Sequence, residues 1–162
     1  MQLWKGVAEV PTRIGASVVT LGNFDGVHRG HQAVLGQVAQ LARSRGLTSV
    51  AVTFQPHPIA VLYPERAPQE LMSADQRVEA ISAAGIDSVL LLEFTREFAA
   101  QTPQEFVDSV FVGALQAAVV VVGADTRFGV RNSGTVDTLV ELGASRGFEV
   151  IASAEIDFEK MA

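Results

Sequence analysis

The sequence contains no cysteine and only two lysines, Lys5 and Lys160. The absence of cysteine excludes disulfides, thiolate metal sites, iron–sulfur clusters and thiol nucleophiles. The formal net charge of -6 argues against a nucleic-acid surface, because binding a phosphate backbone needs clustered cationic side chains. A single phosphorylated small molecule stays possible as a ligand, since one phosphate needs only a local site.

Long apolar runs are also missing. No stretch approaches the roughly 20 apolar residues that span a bilayer, and residues 1–11 carry charges where a secretory signal would be apolar. We therefore expect a cytoplasmic protein with no membrane partner. Of the 162 residues, 48% are hydrophobic, which is enough for one domain with a sizeable core.

Short apolar runs alternate with helical patterns along the chain. The apolar runs predict strands at residues 17–22, 48–54, 87–94, 117–123 and 148–153. The spacing of apolar residues and the capping signals predict helices at residues 31–46, 73–85, 102–115 and 135–146. Continuous rather than alternating apolar runs are typical of strands buried on both faces. We predict an α/β protein with a Rossmann-like, doubly wound parallel sheet of about five strands.

Three glycine-rich, proline-rich or polar segments follow three of these strands, at residues 22–31, 55–58 and 123–134. In a doubly wound sheet, ligands bind beyond the carboxyl ends of the strands. We therefore expect the three segments to meet at one edge and form a site. The second segment opens a long irregular stretch, residues 55–72, whose four prolines favour a functional or disordered loop.

The stretch TLGNFDGVHRGHQ, residues 20–32, places His28 and His31 in a glycine-rich turn. His31 should lie in the first turn of the following helix, where unpaired N–H groups favour an anion. Two imidazoles there can donate hydrogen bonds to phosphate oxygens. The turn is neither a P-loop nor a GxGxxG fingerprint. Two other interpretations stay open: a structural histidine pair, or a zinc hydrolase site that also uses His57.

Other candidate residues also have ordinary explanations. Asp25 can serve as a turn residue that hydrogen-bonds its own backbone. Arg127 and Arg131 can be solvated surface charges.

The H-x-G-H pattern after a first strand resembles the signature of the nucleotidylyltransferase superfamily. The longer string GNFDGVHRGHQ, residues 22–32, resembles the FMN adenylyltransferase (FAD synthetase) module of bacterial bifunctional riboflavin kinase/FAD synthetases. Two further strings agree in order and spacing: VTFQPHP at residues 52–58 and VVVGADTRFGVRNSGT at residues 120–135. The resemblance spans essentially the whole chain.

This resemblance implies transfer of AMP from ATP to FMN, giving FAD and pyrophosphate by direct in-line attack. It implies that His28 and His31 are catalytic, and that Mg²⁺ accompanies ATP without an assigned protein ligand. The implied ATP-binding residues are Gly22, Asn23, Phe24, Asp25, Gly30, Gly123, Asp125, Arg127, Phe128 and Gly129. The implied flavin-binding residues are Pro56, His57, Pro58, Leu62 and Tyr63.

Several features depart from the family pattern. Gln55 stands where an acidic residue is common, and Thr126 stands where an aromatic residue is common; we expect either change to weaken a flavin or adenine contact. The family's serine- and threonine-rich triphosphate motif and its kinase module do not occur before Ala162. We therefore expect residues 1–162 to be an adenylyltransferase domain truncated at its C-terminal end. The alternatives are a catalytically impaired flavin- or nucleotide-binding fragment and a nucleotidylyltransferase for another phosphate acceptor.

Overall fold

A six-stranded parallel sheet lies at the centre of the part of the chain that the structure describes. This computed structural model describes residues 1–24, 29–56, 58–66 and 73–153, without the side chains of residues 29–31, 58 and 59. The strand order is β1-β4-β3-β2-β5-β6. The strands are β1 (Gln2–Lys5), β2 (Ser17–Leu21), β3 (Thr48–Gln55), β4 (Ser88–Glu93), β5 (Ala117–Gly123) and β6 (Glu149–Ser153).

The predicted fold class is confirmed, and one strand is added to it. All five predicted strands are present, and β1 extends the sheet by pairing in parallel with β4. The four-residue run QLWK is too short, and too polar at both ends, to predict a strand by itself. Trp4 nevertheless anchors the strand, because its side chain is buried in the core.

Helices connect the strands and begin where the capping signals predict. Ser73 and Gln76 form a reciprocal capping box, and Thr102 and Glu105 form another. The helices are α1 (Arg29–Arg45), α2 (Pro58–Leu62), α3 (Ala74–Ala83), α4 (Arg96–Ala99), α5 (Pro103–Phe106) and α6 (Val136–Arg146). In the described parts of the chain, no helix has the length and apolar character needed to cross a membrane.

Two predictions about helical segments need correction. The α-helix predicted over residues 102–115 is a single α turn that widens into a π-helix at Val107–Ala114. The Leu115 N–H donates to the Val110 carbonyl, which is the five-residue spacing of that wider helix. The stretch at residues 55–72 is not wholly irregular, because α2 and a 3-10 turn at Pro64–Arg66 lie within its described part.

The sheet is covered by helices on both faces, which explains its continuous apolar strands. Val18 of β2 packs with α1 and α3 on one face, whereas Val19 packs with the π-helix and α6 on the other. Every residue of β2 is buried. From β2 the chain continues to β3 and β4 on one side and later places β5 and β6 on the other. The strand order therefore reverses between β2 and β5, where such folds bind ligands.

Candidate active site

A cleft of about 760 Å³ opens at the carboxyl edge of the sheet. It lies beyond the ends of β2 and β5, where the strand order reverses. Residues 22–24 after β2 form part of its wall, and the loop at residues 123–132 after β5 forms another. Two of the three predicted segments therefore do meet at one site.

The segment after β2 turns sharply into the cleft. Phe24 has a left-handed φ of 54° and is only 2% exposed. Its ring folds back so closely that a Cβ on Gly22 would lie 2.9 Å from it. Glycine suits this position because a larger residue would have to displace the buried ring.

The loop after β5 is tied down at both ends. Phe128 and Gly134 exchange backbone hydrogen bonds of 3.1 and 2.8 Å, which closes the loop. The Val130 N–H donates to the Gln101 carbonyl at 2.7 Å and so holds the loop against the segment before α5. Gly129 has φ of 78°, and a Cβ there would lie 2.8 Å from Pro103. The loop therefore presents its polar residues to the cleft from a fixed position.

Charged and polar side chains of this loop line the cleft. Arg127, Arg131 and Asp125 all contribute to the wall. Two guanidinium groups can neutralise a phosphorylated ligand, and their forked donors suit phosphate oxygens. These arginines are therefore not simply surface charges remote from a site.

Another part of the cleft lining is aromatic. The rings of Phe54, Phe94 and Phe98 lie 5.7–5.8 Å apart, centroid to centroid, in edge-to-face contacts. Phe106 continues the series at 5.9 Å from Phe98, and Phe128 lies 5.8 Å from Phe106. We call Phe54, Phe94 and Phe98, at and beyond the ends of β3 and β4, the aromatic wall; it offers a surface against which a flat heteroaromatic ring can pack.

Sequence reasoning missed the aromatic wall. A signal was present, because Phe54 and Phe94 stand at the carboxyl ends of two adjacent predicted strands. Phe98 lies four residues after Phe94, in the short helix α4. None of the three rings was among the predicted binding residues, although Phe54 belongs to the string VTFQPHP.

Most of the predicted ATP-binding residues that the structure describes come together. Only the backbone of Gly30 is described, in the first turn of α1, and its predicted role stays a prediction. Asp25 lies outside the described residues. The predicted residues that line the cleft are Gly22, Asn23, Phe24, Gly123, Asp125, Arg127, Phe128 and Gly129.

Only some of the predicted flavin-binding residues line the cleft. Leu62 and Tyr63 line the cleft. Pro56 is exposed just beyond β3 and is not among the described residues of the wall. His57 lies outside the described residues, and Pro58 begins α2 with its side chain outside the description.

The two predicted catalytic histidines also fall outside what the structure describes. His28 lies outside the described residues, and only the backbone of His31 is described, as part of the first turn of α1. The position of that turn, after residues 22–24, agrees with the predicted helix start. The roles of both imidazoles stay predictions.

The side chain of Gln55 has a different environment from the one the sequence suggested. It is not among the described residues that line the cleft, and its Oε1 accepts a hydrogen bond from Arg77 at 2.6 Å. Thr126, the second departure from the family pattern, does line the cleft.

Two buried amide oxygens of the cleft residues have no hydrogen-bond partner in the described part of the protein. These are Asn23 Oδ1 and Gln101 Oε1. Buried polar atoms are normally satisfied, so unpaired acceptors in a cleft wall suit a ligand that brings N–H donors. Adenine and isoalloxazine rings both carry such donors.

The fold and the cleft together define an α/β protein with a cleft at the reversal point of its sheet, lined by arginines and aromatic rings. A family model described as FAD synthetase matches residues 11–162, and the chain belongs to that family.

Relatives of known name are similar over most of the chain. A bifunctional riboflavin kinase/FMN adenylyltransferase from Pseudomonas fluorescens is 37% identical over 159 residues, covering 98% of this chain and 51% of that protein. The protein of the same name from Escherichia coli K12 is 35% identical, covering 84% of this chain and 44% of its own length. This chain thus spans about half the length of the relatives that it matches.

Solved structures support the fold. A crystal structure described as a macrolide-efflux protein from Streptococcus pneumoniae has a TM-score of 0.78 and 28% identity, covering 94% of this chain and 49% of that chain. A pantothenate synthetase from Thermus thermophilus has a TM-score of 0.57 at 16% identity, covering 94% of this chain and 61% of that one. The second likeness concerns the fold alone.

Proposed function

We propose that this protein transfers AMP from ATP to FMN, giving FAD and pyrophosphate, as an adenylyltransferase domain formed by residues 1–162. One observation carries the proposal: an arginine-bearing loop and an aromatic wall line one cleft, in a chain of the FAD synthetase family. The reaction needs both surfaces, because each substrate combines a flat ring with phosphate. The cytoplasm is the compartment that we propose for it.

The polar side of the cleft would bind ATP. In this proposal Gly22, Asn23 and Phe24 contact the nucleotide from the end of β2, and Arg127 supplies positive charge to its phosphates. Asp125, Phe128 and Gly129 complete this side from the loop after β5. His28 and His31, which follow residues 22–24 in the chain, would donate hydrogen bonds to the phosphates.

The aromatic side would bind FMN. Leu62 and Tyr63 line the same cleft as the aromatic wall and would enclose the isoalloxazine ring with it. Pro56, His57 and Pro58 would shape the entrance from the end of β3. Burial of a large flat ring against such a wall releases water from apolar surface and favours binding.

The reaction is a single displacement at phosphorus. An oxygen of the FMN phosphate forms a bond to the α-phosphorus of ATP, while the bond from that phosphorus to the β-phosphate bridging oxygen breaks. The electron pair leaves with pyrophosphate, so negative charge increases on the departing group. Catalysis then depends on alignment of the two phosphates and on fixed donors that stabilise the charge.

Mg²⁺ is proposed to enter with ATP as the counter-ion of its phosphates. Among the described residues, no group of three potential metal ligands comes together. We propose that phosphate oxygens are the main ligands of this ion and that the arginines of the loop neutralise part of the phosphate charge.

The proposal is tested by an acceptor comparison. The purified protein is incubated with ATP, Mg²⁺ and either FMN, 4′-phosphopantetheine or glycerol 3-phosphate, and both the adenylylated product and pyrophosphate are measured by chromatography. We expect FAD and pyrophosphate in equal amounts, with FMN as the preferred acceptor. Preference for another acceptor would contradict the flavin assignment.

The same samples separate the alternatives. FMN binding without pyrophosphate release from folded protein would indicate an impaired binding fragment. Stoichiometric zinc, with a hydrolytic activity that zinc but not magnesium restores after chelation, would indicate the metal-dependent hydrolase.

A further inference from the structure

Arg77 is a buried arginine beneath the cleft, and the proposed reaction gives it no role so far. It belongs to α3 and is 4% exposed, between core residues of the same helix such as Val78 and Ile81. A charged group is costly to bury unless its donors are hydrogen-bonded. Arg77 is not among the described residues that line the cleft, so direct contact with a substrate does not explain it.

The guanidinium of Arg77 joins two segments that enter the cleft. Its Nη1 donates to the Asn23 carbonyl at 2.8 Å and to Thr53 Oγ1 at 3.2 Å. Its Nη2 donates to Gln55 Oε1 at 2.6 Å. The Thr53 hydroxyl donates to the same Asn23 carbonyl at 3.0 Å. One side chain of α3 therefore fixes the segment after β2 and the end of β3 to each other.

These two segments lead to the two proposed halves of the site. Asn23 is followed by Phe24 and by the H-x-G-H residues assigned to ATP. Gln55 is followed by residues 56–63, assigned to FMN. Relative displacement of about 1 Å between reacting groups can cost a large factor in rate, because in-line attack requires close alignment.

We propose that Arg77 is a positioning residue that sets the distance between the ATP-binding and FMN-binding segments. The proposal rests on the proposed adenylyltransferase function. The planar fork of arginine suits the role, since its two terminal nitrogens reach acceptors on different strands at once. A lysine ammonium is a single donor centre and cannot span both segments in the same way.

Gln55 is the partner that makes the proposal testable. Its amide oxygen accepts a hydrogen bond from Arg77 as a neutral group. In an Arg77→Lys protein, Gln55→Glu would replace the lost hydrogen bond by a stronger charge-assisted one. Partial rescue by the second substitution is therefore expected only if the connection between the segments matters.

The experiment compares wild type, Arg77→Lys and Arg77→Lys/Gln55→Glu, with Arg45→Lys as the matched control. Arg45 is an exposed arginine whose partner is Glu149, away from the cleft. We expect Arg77→Lys to lower kcat for FAD formation about tenfold while either KM changes less than about threefold, because alignment is lost more than binding. The double variant should recover a substantial part of kcat, and Arg45→Lys should match wild type.

Amide hydrogen exchange on the same proteins measures the positioning directly. We expect faster exchange in Arg77→Lys at residues 20–24 and 53–55, with no change in β6. Wild-type kcat and wild-type exchange in a folded Arg77→Lys protein would overturn the proposal. Equal acceleration throughout the sheet, without rescue by Gln55→Glu, would also overturn it, because that pattern indicates a purely structural role.

The proposal about Arg77 can still be tested if Arg77→Lys does not fold or if the wild type forms no FAD. If Arg77→Lys does not fold, Gln55→Ala removes one acceptor at the half-buried end of β3, and the same local exchange change with a kcat loss of about threefold is expected. If wild type forms no FAD, the proposed function fails, while local exchange still decides whether Arg77 holds the two segments.

Discussion

The two walls of the cleft are built by different means. The wall beyond β2 and β5 consists of tight turns, charged side chains and glycines that leave no room for a Cβ. The aromatic wall beyond β3 and β4 consists of side chains that contact each other through ring edges and faces. The first wall depends on backbone geometry and charge, whereas the second depends on apolar shape.

This difference predicts how each wall responds to substitution. A wall of turns should tolerate little change, because one added methyl group displaces the loop that carries the charged residues. An aromatic wall should lose affinity in smaller steps, since several rings share the contact surface. The substitutions below test this contrast, beginning with the largest expected effect.

His28→Ala should reduce FAD formation about a hundredfold or more, because it removes a donor proposed to stabilise the transition-state charge. The initial rate of FAD formation at saturating ATP and FMN measures the effect. The thermal midpoint should stay close to that of wild type. A folded His28→Ala protein with unchanged turnover would remove His28 from the proposed mechanism.

Gly129→Ala should raise the KM for ATP about tenfold, because the new Cβ would lie 2.8 Å from Pro103 in a backbone with φ of 78°. Gly147→Ala is the matched control, since Gly147 has φ of 85° and no atom within 4 Å of such a Cβ. The control should lose about 1 kcal/mol of stability with an unchanged KM, as expected for a glycine at a helix C-terminus. Equal KM changes in both variants would refute the role of the loop.

Phe98→Ala should weaken FMN binding about fivefold, which corresponds to the loss of one aromatic contact of about 1 kcal/mol. Quenching of flavin fluorescence measures the dissociation constant. Val140→Ala serves as the control, because Val140 is an exposed apolar residue of α6 that does not line the cleft. Unchanged FMN affinity in folded Phe98→Ala would separate the aromatic wall from the flavin.

The smallest effect is expected at Asp108, which pairs with Arg146 outside the cleft lining. The Arg146 hydrogen bond lowers the pKa of Asp108 below its ordinary value of 3.8. The resulting stabilisation is therefore present above that value and is lost as the pH falls through the lowered pKa. Asp108→Asn should lower the thermal midpoint by about 1–2 °C near pH 7, since the pair is exposed, and by less in acid. A difference in thermal midpoint between wild type and Asp108→Asn that increased as the pH fell would contradict this explanation.

The polar wall was largely predictable from the sequence, and the aromatic wall was not. Glycines and short polar motifs after apolar runs mark tight turns at the carboxyl ends of strands, so residues 22–24 and 123–129 could be assigned. Phe54 and Phe94 instead extend apolar strand patterns and are indistinguishable from core residues until the sheet order is known. Phe106 follows a clear capping box and looks equally like the buried face of a helix.

Other features that the sequence did not predict also depend on tertiary contacts. The strand β1 escaped prediction because its pairing with β4 depends on tertiary contact rather than on its four residues. The π-helix that continues α5 packs Phe111, and Leu115 just beyond it, into the core, as an α-helix with the same apolar residues would. Arg77 looked like a polar position on an amphipathic helix, and only the strand order places the ends of β2 and β3 beside it.

The central claim, that the two walls bind different substrates, is tested most directly by a crossed binding measurement. Dissociation constants for FMN, from flavin fluorescence, and for ATP, from calorimetry, are determined for wild type, Phe98→Ala and Arg127→Ala, with Arg45→Ala as the charge control. We expect Phe98→Ala to weaken FMN and Arg127→Ala to weaken ATP, each about fivefold, with the other ligand changed less than about twofold. Equal weakening of both ligands by each substitution, or the reverse assignment, would contradict the account.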